Sequence, residues 1–227
     1  MCCELPGGGH ALFTTRAQGN LSSVSGLGHE HGHDVRERLR TQLGLRHLIR
    51  GYQVHGATVR RIHGEADLPA LDTDAAQPSI EADGHATRVT GVGVMALAAD
   101  CLPIALGGDV AVAIVHAGWR GLAAGVVEEG VLALRELGCE GDVAAVIGPG
   151  AGPCCYEVGE EVHSAFGGAH LSGRRIDLAA IARDRLYASG VADVRVLAAC
   201  TICDERFYSH RRERAHAGRQ AGVAWFS

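Results

Sequence analysis

Three short segments concentrate side chains that can do chemistry. They are Gln-Val-His-Gly at residues 53–56, Ala-Asp-Cys-Leu-Pro at residues 99–103 and His-Ala-Gly-Trp-Arg-Gly at residues 116–121. Imidazole and thiolate groups are common zinc ligands, and three protein ligands leave a fourth position open for catalysis. His55, Cys101 and His116 are therefore a candidate metal site. Ordinary buried cysteine and hydrogen-bonded histidine remain the alternative explanation for these residues.

A β-hairpin would bring two of these residues together. A two-residue turn at Gly108 and Asp109 places Cys101 directly opposite His116, with Cβ atoms about 5 Å apart. That separation allows a thiolate and an imidazole to share one zinc ion. A turn one residue earlier would instead put His116 on the other face of the sheet. Pro103 also disfavours a central ladder position.

Apolar runs and helical patterns indicate the elements that must position these residues. Strands are predicted at residues 92–98, 104–106, 110–115, 143–147, 194–198 and 221–226. A helix is predicted over residues 122–137, and another begins after Asp177 as its N-cap and ends near residue 189. Residues 65–81 are predicted to be a loop. The mixture predicts one α/β or α+β domain over residues 1–227, with residues 1–9 flexible.

All 21 basic residues among the 227 are arginine, because the chain contains no lysine. This excludes lysine Schiff bases and a Walker phosphate loop. The GC-rich codons of the abundant Ala, Gly and Arg indicate a coding bias that is enough to explain the absence without any functional reason. An anion must then be held by arginine, backbone amides, hydroxyl groups or a metal. Arg120, near the predicted start of a helix, and the pair Arg211 and Arg212 are the candidates for phosphate.

The charge and cysteine content limit the class of protein. A net charge of −5 argues against a nucleic-acid-binding module. Neither a secretory signal nor an apolar run of membrane length is evident, so we expect a cytoplasmic protein without membrane contact. Its eight cysteines are then expected to be reduced. Cys200 and Cys203 are predicted to be structural, while Cys154 and Cys155 fit either cleft packing or a substrate pocket.

Several motifs occur together in the order typical of one family. Besides the three segments above, they are Ile-Gly-Pro at residues 147–149, Cys-Cys-Tyr-Glu-Val-Gly at 154–159, Phe-Tyr-Ser-His-Arg-Arg at 207–212 and Gly-Arg at 218–219. From about Phe13 to its end the chain resembles the YfiH-like family, purine nucleoside phosphorylases formerly described as laccase-domain or multicopper polyphenol oxidase proteins. It departs from the family pattern at residues 17–22, where Ala-Gln-Gly-Asn-Leu-Ser replaces a Gly-Gly-Val-Ser stretch.

The resemblance implies a fold, a metal and an activity. The fold would be two mixed β-sheets packed between helices, and His55, Cys101 and His116 would bind zinc. The activity would be phosphorolysis of adenosine, inosine and methylthioadenosine to the base and the corresponding sugar 1-phosphate, together with hydrolytic deamination of adenosine. Purine nucleosides and phosphate would be the partners of a monomer or small homo-oligomer.

The remaining residues near the motifs have open roles. Asp100 is a candidate acid/base or ligand-orienting group, Asp83 is a candidate to line the same cleft, and Trp119 is a candidate to stack on a purine. Two other enzyme classes use the same residues. One is a copper polyphenol oxidase, although the paired His-x-His motifs of multicopper proteins are scarce here. The other is a cysteine hydrolase with Cys101 as nucleophile and His116 as base. A non-enzymatic nucleotide sensor is a further alternative.

Overall fold

The computed structural model describes residues 1–68 and 80–226, so most of the predicted loop at 65–81 lies outside the described residues. In chain order the elements are β1 (Cys2–Glu4), β2 (Gly9–Phe13), α1 (Gly32–Gln42), β3 (His47–Ile49), β4 (Val59–Ile62), β5 (Gly84–Thr87), β6 (Val92–Ala98), β7 (Leu102–Gly107), β8 (Val112–Ala117), α2 (Trp119–Ala124), α3 (Val126–Glu136), β9 (Ala144–Ile147), α4 (Glu160–Ala165), β10 (Leu171–Ser172), β11 (Arg175–Ile176), α5 (Leu178–Ala188), β12 (Asp193–Val196), α6 (His210–Glu213) and β13 (Gln220–Phe226).

Two large sheets pack face to face at the centre of the molecule. One has five strands in the order β1-β2-β13-β6-β3, and the other has six in the order β12-β9-β7-β8-β5-β4. Each sheet mixes parallel and antiparallel pairs. Phe13, Val94 and Ile114 belong to one buried cluster that spans both sheets.

Helices cover the outer faces of both sheets. Helix α1 packs Val35 and Leu39 into a buried cluster with Met95 of the five-stranded sheet. On the six-stranded sheet, α3 and α5 contribute Leu134 and Ile181 to the largest buried cluster. The resulting four layers confirm the α/β fold predicted from the sequence, with two mixed sheets between helices.

Strand β8 shows why the central strands are continuous apolar runs. All six of its residues are buried, and alternate side chains serve different layers. Ile114 belongs to the cluster between the sheets, whereas Val115 belongs to the cluster beneath α3 and α5. An apolar residue is therefore favoured at every position of the strand.

The β7–β8 hairpin corrects the predicted register. Pro103 lies opposite His116, and Cys101 precedes the first paired residue of β7. The two-residue turn falls on Asp109 and Val110, one position later than predicted, so Cys101 is not directly opposite His116. The two residues still approach each other, because Cys101 lies at the open end of the hairpin.

Packing explains why the glycines at positions 107 and 108 misled the turn prediction. A Cβ atom on Gly107 would lie 2.6 Å from the Cβ of Leu5, and one on Gly108 would lie 2.6 Å from the Sγ of Cys139. These glycines permit close approach of neighbouring side chains rather than a positive φ angle in the turn.

Two other boundaries differ from the sequence prediction. The single helix predicted over residues 122–137 is divided into α2 and α3 at Gly125, whose φ of 93° is left-handed. The first residues also adopt regular structure, because β1 pairs antiparallel with β2.

Candidate functional site

Three predicted ligand residues converge at one end of the six-stranded sheet. His55 lies in the loop before β4, Cys101 lies between β6 and β7, and His116 lies in β8. Their candidate ligand atoms all lie within 4.8 Å of one another. The rings of His55 and His116 meet edge to face, with centroids 4.9 Å apart. Residues far apart in sequence are thus arranged as a compact N, S, N donor set.

The carboxylate of Asp83 holds two of these donor residues, His55 and His116, in place through hydrogen bonds. It accepts hydrogen bonds from the backbone N–H groups of Val54 (3.0 Å), His55 (2.9 Å) and Gly56 (2.7 Å). It also accepts one from Nδ1 of His116 at 2.8 Å, which leaves Nε2 as the ring nitrogen available to a metal. Asp83 is 1% exposed, so it supports the cleft rather than lining it as predicted.

Gln53 fixes the same loop to the five-stranded sheet. Its side-chain amide donates to the carbonyl of Leu97 at 2.8 Å and accepts from the N–H of Leu97 at 2.8 Å. His55 itself has a φ of 61°, an uncommon conformation for a residue with a side chain. Two side chains therefore hold the loop in the strained shape that brings His55 to the site.

The charges of the donor set stabilise one another. Burial alone would raise the pKa of the Cys101 thiol, but the positive charge of His116 and hydrogen bonds from both histidines lower this pKa to about 6. Burial would lower the pKa of His116, but the Cys101 charge and the Asp83 hydrogen bond raise this pKa to about 9. Without a metal, the two groups thus form a thiolate and imidazolium pair at neutral pH, and a metal bound at Nε2 of His116 would displace the proton from that nitrogen.

Asp100, the predicted acid/base residue, holds three neighbouring segments together. One carboxylate oxygen accepts from the hydroxyl of Thr201 at 2.7 Å, and the other accepts from the backbone N–H of Arg211 at 2.7 Å. The carbonyl oxygen of Asp100 accepts from the N–H of Ala151 at 2.7 Å. Asp100 has a φ of 88°, so the strained residue before Cys101 is restrained on three sides.

A cavity of about 450 Å³ opens above the donor set, and Asp100 is among its lining residues. This volume lies within the range of small-molecule sites. The predicted Trp119, Arg120 and Arg211 also line it. The guanidinium of Arg120 stacks on the Trp119 ring at 4.3 Å, so one face of that ring is already covered. Helix α2 begins at Trp119, within the segment at residues 116–121 and three residues before the helix start predicted at residue 122.

Arg212 differs from its neighbour, because it is not among the cavity-lining residues. Its guanidinium donates to the carbonyl oxygens of Thr201 (2.7 Å), Ile202 (2.9 Å) and Phe207 (2.5 Å), and to the carboxylate of Glu213 at 2.7 Å. These contacts indicate a structural role for Arg212 instead of the predicted phosphate contact.

The cavity lining includes polar residues that the sequence analysis did not name as site residues, among them Arg50, Tyr156, His210 and Arg219. Tyr156, His210 and Arg219 lie inside the quoted motifs, but nothing in their spacing shows that they face the cavity. Burial and the charge of Cys101 raise the pKa of Tyr156, so its hydroxyl remains protonated at neutral pH. Arg211 lies over the Tyr156 ring, 4.8 Å from its centroid.

The segment that departs from the family pattern supports this cavity. Asn20 is buried, and its side-chain oxygen accepts from the N–H of Arg219 at 2.9 Å. Its amide nitrogen donates to the carbonyl of Ser25 at 2.8 Å. Ser25 and Arg219 both line the cavity, so Asn20 connects two parts of its wall.

Comparison with known proteins gives consistent matches over nearly the whole chain. The sequence model of the family described as "Multi-copper polyphenol oxidoreductase laccase" matches residues 9–227. A purine nucleoside phosphorylase of Xylella fastidiosa (strain Temecula1) is 39% identical, with 97% of this chain and 88% of the relative covered. The purine nucleoside phosphorylase YfiH of Shigella flexneri is 32% identical, with 97% and 95% covered.

Solved structures have the same fold. The crystal structure of a hypothetical protein YfiH from Bacillus licheniformis superimposes with a TM-score of 0.83 at 26% identity, covering 96% of this chain and 93% of that one. No helix within residues 1–68 and 80–226 is both long and apolar enough to cross a membrane.

Proposed function

The chain belongs to the multi-copper polyphenol oxidoreductase laccase family, which includes the YfiH proteins, and from this membership we propose that it is a zinc-dependent purine nucleoside phosphorylase. The reaction is adenosine, inosine or methylthioadenosine plus phosphate to the free base and ribose or methylthioribose 1-phosphate. We further propose hydrolytic deamination, in which adenosine and water give inosine and ammonia. The names of the relatives support the phosphorolysis.

The observation that carries the proposal is the convergence of His55, Cys101 and His116 at the floor of the cavity. Two imidazoles and one thiolate are a donor set that suits zinc. The lowered pKa of Cys101, about 6, means that the thiol is already deprotonated at neutral pH. When bound, zinc supplies Lewis-acid chemistry that serves both phosphorolysis and deamination.

Arginine side chains around the cavity suit a phosphate anion. Arg120, Arg211 and Arg219 line it, and guanidinium groups bind phosphate through paired N–H donors. Burial lowers the pKa of Arg219, while the negative charges of Cys101 and Asp100 oppose that shift. Arginine stays protonated in such surroundings, so Arg219 provides a partly desolvated positive charge beside the donor set.

Polar groups at the same wall suit the nucleoside. The protonated hydroxyl of Tyr156 can donate a hydrogen bond to a ribose or phosphate oxygen. Trp119 lines the cavity, and its ring is our proposed contact for the purine base. Asp100 has both carboxylate oxygens in hydrogen bonds, so its main role is to position Cys101 and the backbone of Arg211.

A cysteine hydrolase is the second candidate, because Asp83, His116 and Cys101 form a connected acid, base and thiolate series. This is the arrangement of a nucleophilic triad. His55 favours the metal enzyme instead, since a triad needs no third donor on the thiolate.

Metal-analysed protein incubated with adenosine, with and without phosphate, tests the proposal. We expect adenine and ribose 1-phosphate only when phosphate is present, and inosine with ammonia in either case. Cys101→Ala should abolish both reactions, whereas Cys2→Ala, a change in an exposed cysteine of β1, should abolish neither. Failure of the zinc-loaded protein to convert any purine nucleoside would contradict the proposal.

Two further measurements separate the alternatives. Catalytic activity that survives removal of metal by a chelator, but is lost when Cys101 is alkylated, would identify the cysteine hydrolase. Oxidation of a phenol by copper-loaded protein, without any nucleoside turnover, would identify the polyphenol oxidase that the family description names.

A further inference from the structure

Four cysteines form a second cluster, outside the residues that line the cavity. Cys154 and Cys155 lie in a turn after β9, and Cys200 and Cys203 lie in a turn after β12. Their four sulfur atoms all lie within 4.8 Å of one another. The Sγ of Cys203 is 3.5 Å from that of Cys154 and 2.7 Å from that of Cys155.

The sheet topology brings the two turns together. Strands β9 and β12 are parallel neighbours, with Ile147 opposite Val196, so their carboxyl ends meet at the same edge. Beyond the strands a parallel bridge pairs Gly150 with Cys200, and the N–H of Thr201 donates to the carbonyl of Gly150 at 2.9 Å. The juxtaposition of the two cysteine pairs is thus built into the backbone.

The sulfur positions suit one tetrahedral metal. A zinc ion with four thiolate ligands at 2.3 Å requires sulfur atoms about 3.8 Å apart. The pair at 2.7 Å must open by about 1 Å, a shift that rotation of exposed Cys203 can supply. In addition, the N–H of Gly152 donates to the Sγ of Cys200 at 3.2 Å, an outer contact that supports a thiolate ligand.

We propose that Cys154, Cys155, Cys200 and Cys203 bind a second zinc ion in a closed, structural site. Four protein ligands leave no position open for a substrate, which is the pattern of structural rather than catalytic zinc. Zinc replaces the four thiol protons, which are released to solvent. Two cysteine pairs, with 44 residues between Cys155 and Cys200, would then be joined without a disulfide bond.

The second site would also brace the first. Thr201, between the two ligands of the second turn, donates its hydroxyl to Asp100, next to Cys101. Arg212 holds the same turn through the carbonyls of Thr201 and Ile202. A metal fixed in this turn therefore restrains the residue that precedes the catalytic thiolate.

Zinc stoichiometry in four proteins tests the proposal. After zinc loading and removal of loosely bound metal, the wild-type chain should hold two zinc ions. The double variant Cys200→Ser with Cys203→Ser should hold one, as should Cys101→Ala, while the control pair Cys2→Ser with Cys3→Ser should retain two. The Cys101→Ala result separates this site from the proposed active site. Unchanged metal content in the Cys200 and Cys203 variant would overturn the proposal.

A second measurement needs no variant of the cluster. Cys101→Ala protein loaded with cobalt should show the visible spectrum of a tetrahedral tetrathiolate site, and its absence would overturn the proposal.

Thiol titration of wild-type protein, unfolded anaerobically with chelator and without reductant, should find all eight thiols. Six thiols, with the disulfide mapped to two of the four cluster cysteines, would overturn it. Metal analysis that finds iron in place of zinc would overturn the choice of metal.

Discussion

The carboxylate of Asp83 accepts a hydrogen bond from Nδ1 of His116 at 2.8 Å. It also accepts hydrogen bonds from the backbone N–H groups of residues 54–56. One buried side chain thus sets both the ring orientation of His116 and the conformation of the His55 loop. Hydrogen bonding from His116 and the loop N–H groups outweighs burial and lowers the pKa of Asp83, which keeps it charged.

Asp83→Asn should weaken zinc binding and destabilise the fold. Asparagine has nearly the volume of aspartate, but its N–H₂ group would face N–H donors that now bond to a carboxylate oxygen. His55 and His116 would then be held less firmly, so zinc affinity should fall about 10- to 100-fold. The free energy of unfolding should fall by about 1 to 3 kcal/mol. Chelator competition and urea unfolding measure the two quantities. Asp193→Asn, on the exposed face of β12, is the matched control. Zinc affinity equal to that of the control would contradict the role of Asp83.

Gly118→Ala should disturb the donor set directly. A Cβ at this position would lie 2.9 Å from the Sγ of Cys101 and 3.2 Å from Cδ2 of His55. Because its φ is −76°, alanine introduces no backbone strain there. We expect zinc affinity to drop about tenfold or more. Gly64→Ala is the control, since a Cβ there meets nothing within 4 Å. Equal zinc affinities of the two variants would show that the close contact has no effect.

Arg211→Ala and Arg212→Ala form a matched pair on α6. Arg211 lines the cavity, so its loss should raise the KM for phosphate about tenfold, equivalent to about 1.4 kcal/mol, with little change in stability. Arg212 donates to three carbonyls, so its loss should lower the free energy of unfolding by about 1 to 3 kcal/mol. Steady-state kinetics and urea unfolding of both variants measure these effects. The reverse pattern would contradict the assignment.

Buried His85 should make the protein sensitive to acid. Burial, with a contribution from the charge of Arg60, lowers the pKa of His85 to about 4 from an ordinary 6.5. Above pH 6.5 the ring is neutral in both folded and unfolded chains. As the pH falls from 6.5 to 4, only the unfolded chain gains the proton, so stability is lost by about 3 kcal/mol.

His85→Leu isolates this contribution. Between pH 6.5 and 4 its free energy of unfolding should fall less steeply than that of the wild type, because other groups titrate in both proteins. Urea unfolding across this pH range measures the difference. Parallel pH profiles would exclude His85 as the origin of the acid sensitivity.

The layers of the fold and the three donor residues can be predicted from the sequence, but the register between neighbouring strands cannot. Strands such as β6 and β8 are evident because both faces are buried, which makes their sequences continuously apolar. The register of β7 and β8 depends on what packs over Gly107 and Gly108, namely Leu5 and Cys139, and these residues are remote in sequence. Local spacing therefore cannot specify it.

Adjacent residues of one type show the same limit at the site. Arg211 and Arg212 are equivalent in the sequence, but successive positions of a helix point in directions about 100° apart. One consequently faces the cavity and the other faces the turn at Thr201. Asp83 is likewise a lone carboxylate in the sequence, and only the fold shows that four donors surround it.

The position of Cys101 has a thermodynamic consequence. β6 ends at Ala98 in the five-stranded sheet and β7 begins at Leu102 in the six-stranded sheet, so Cys101 lies in the short covalent connection between them. Gln53 joins the His55 loop to Leu97 of the five-stranded sheet, so a metal that binds only the folded donor set would favour the state in which both sheets are docked. By mass action, the proposed zinc ion at 100 times its dissociation constant would add about 2.7 kcal/mol to the stability of that docked state. Metal supply would then determine how cooperatively the two sheets unfold and how long the protein resists proteolysis.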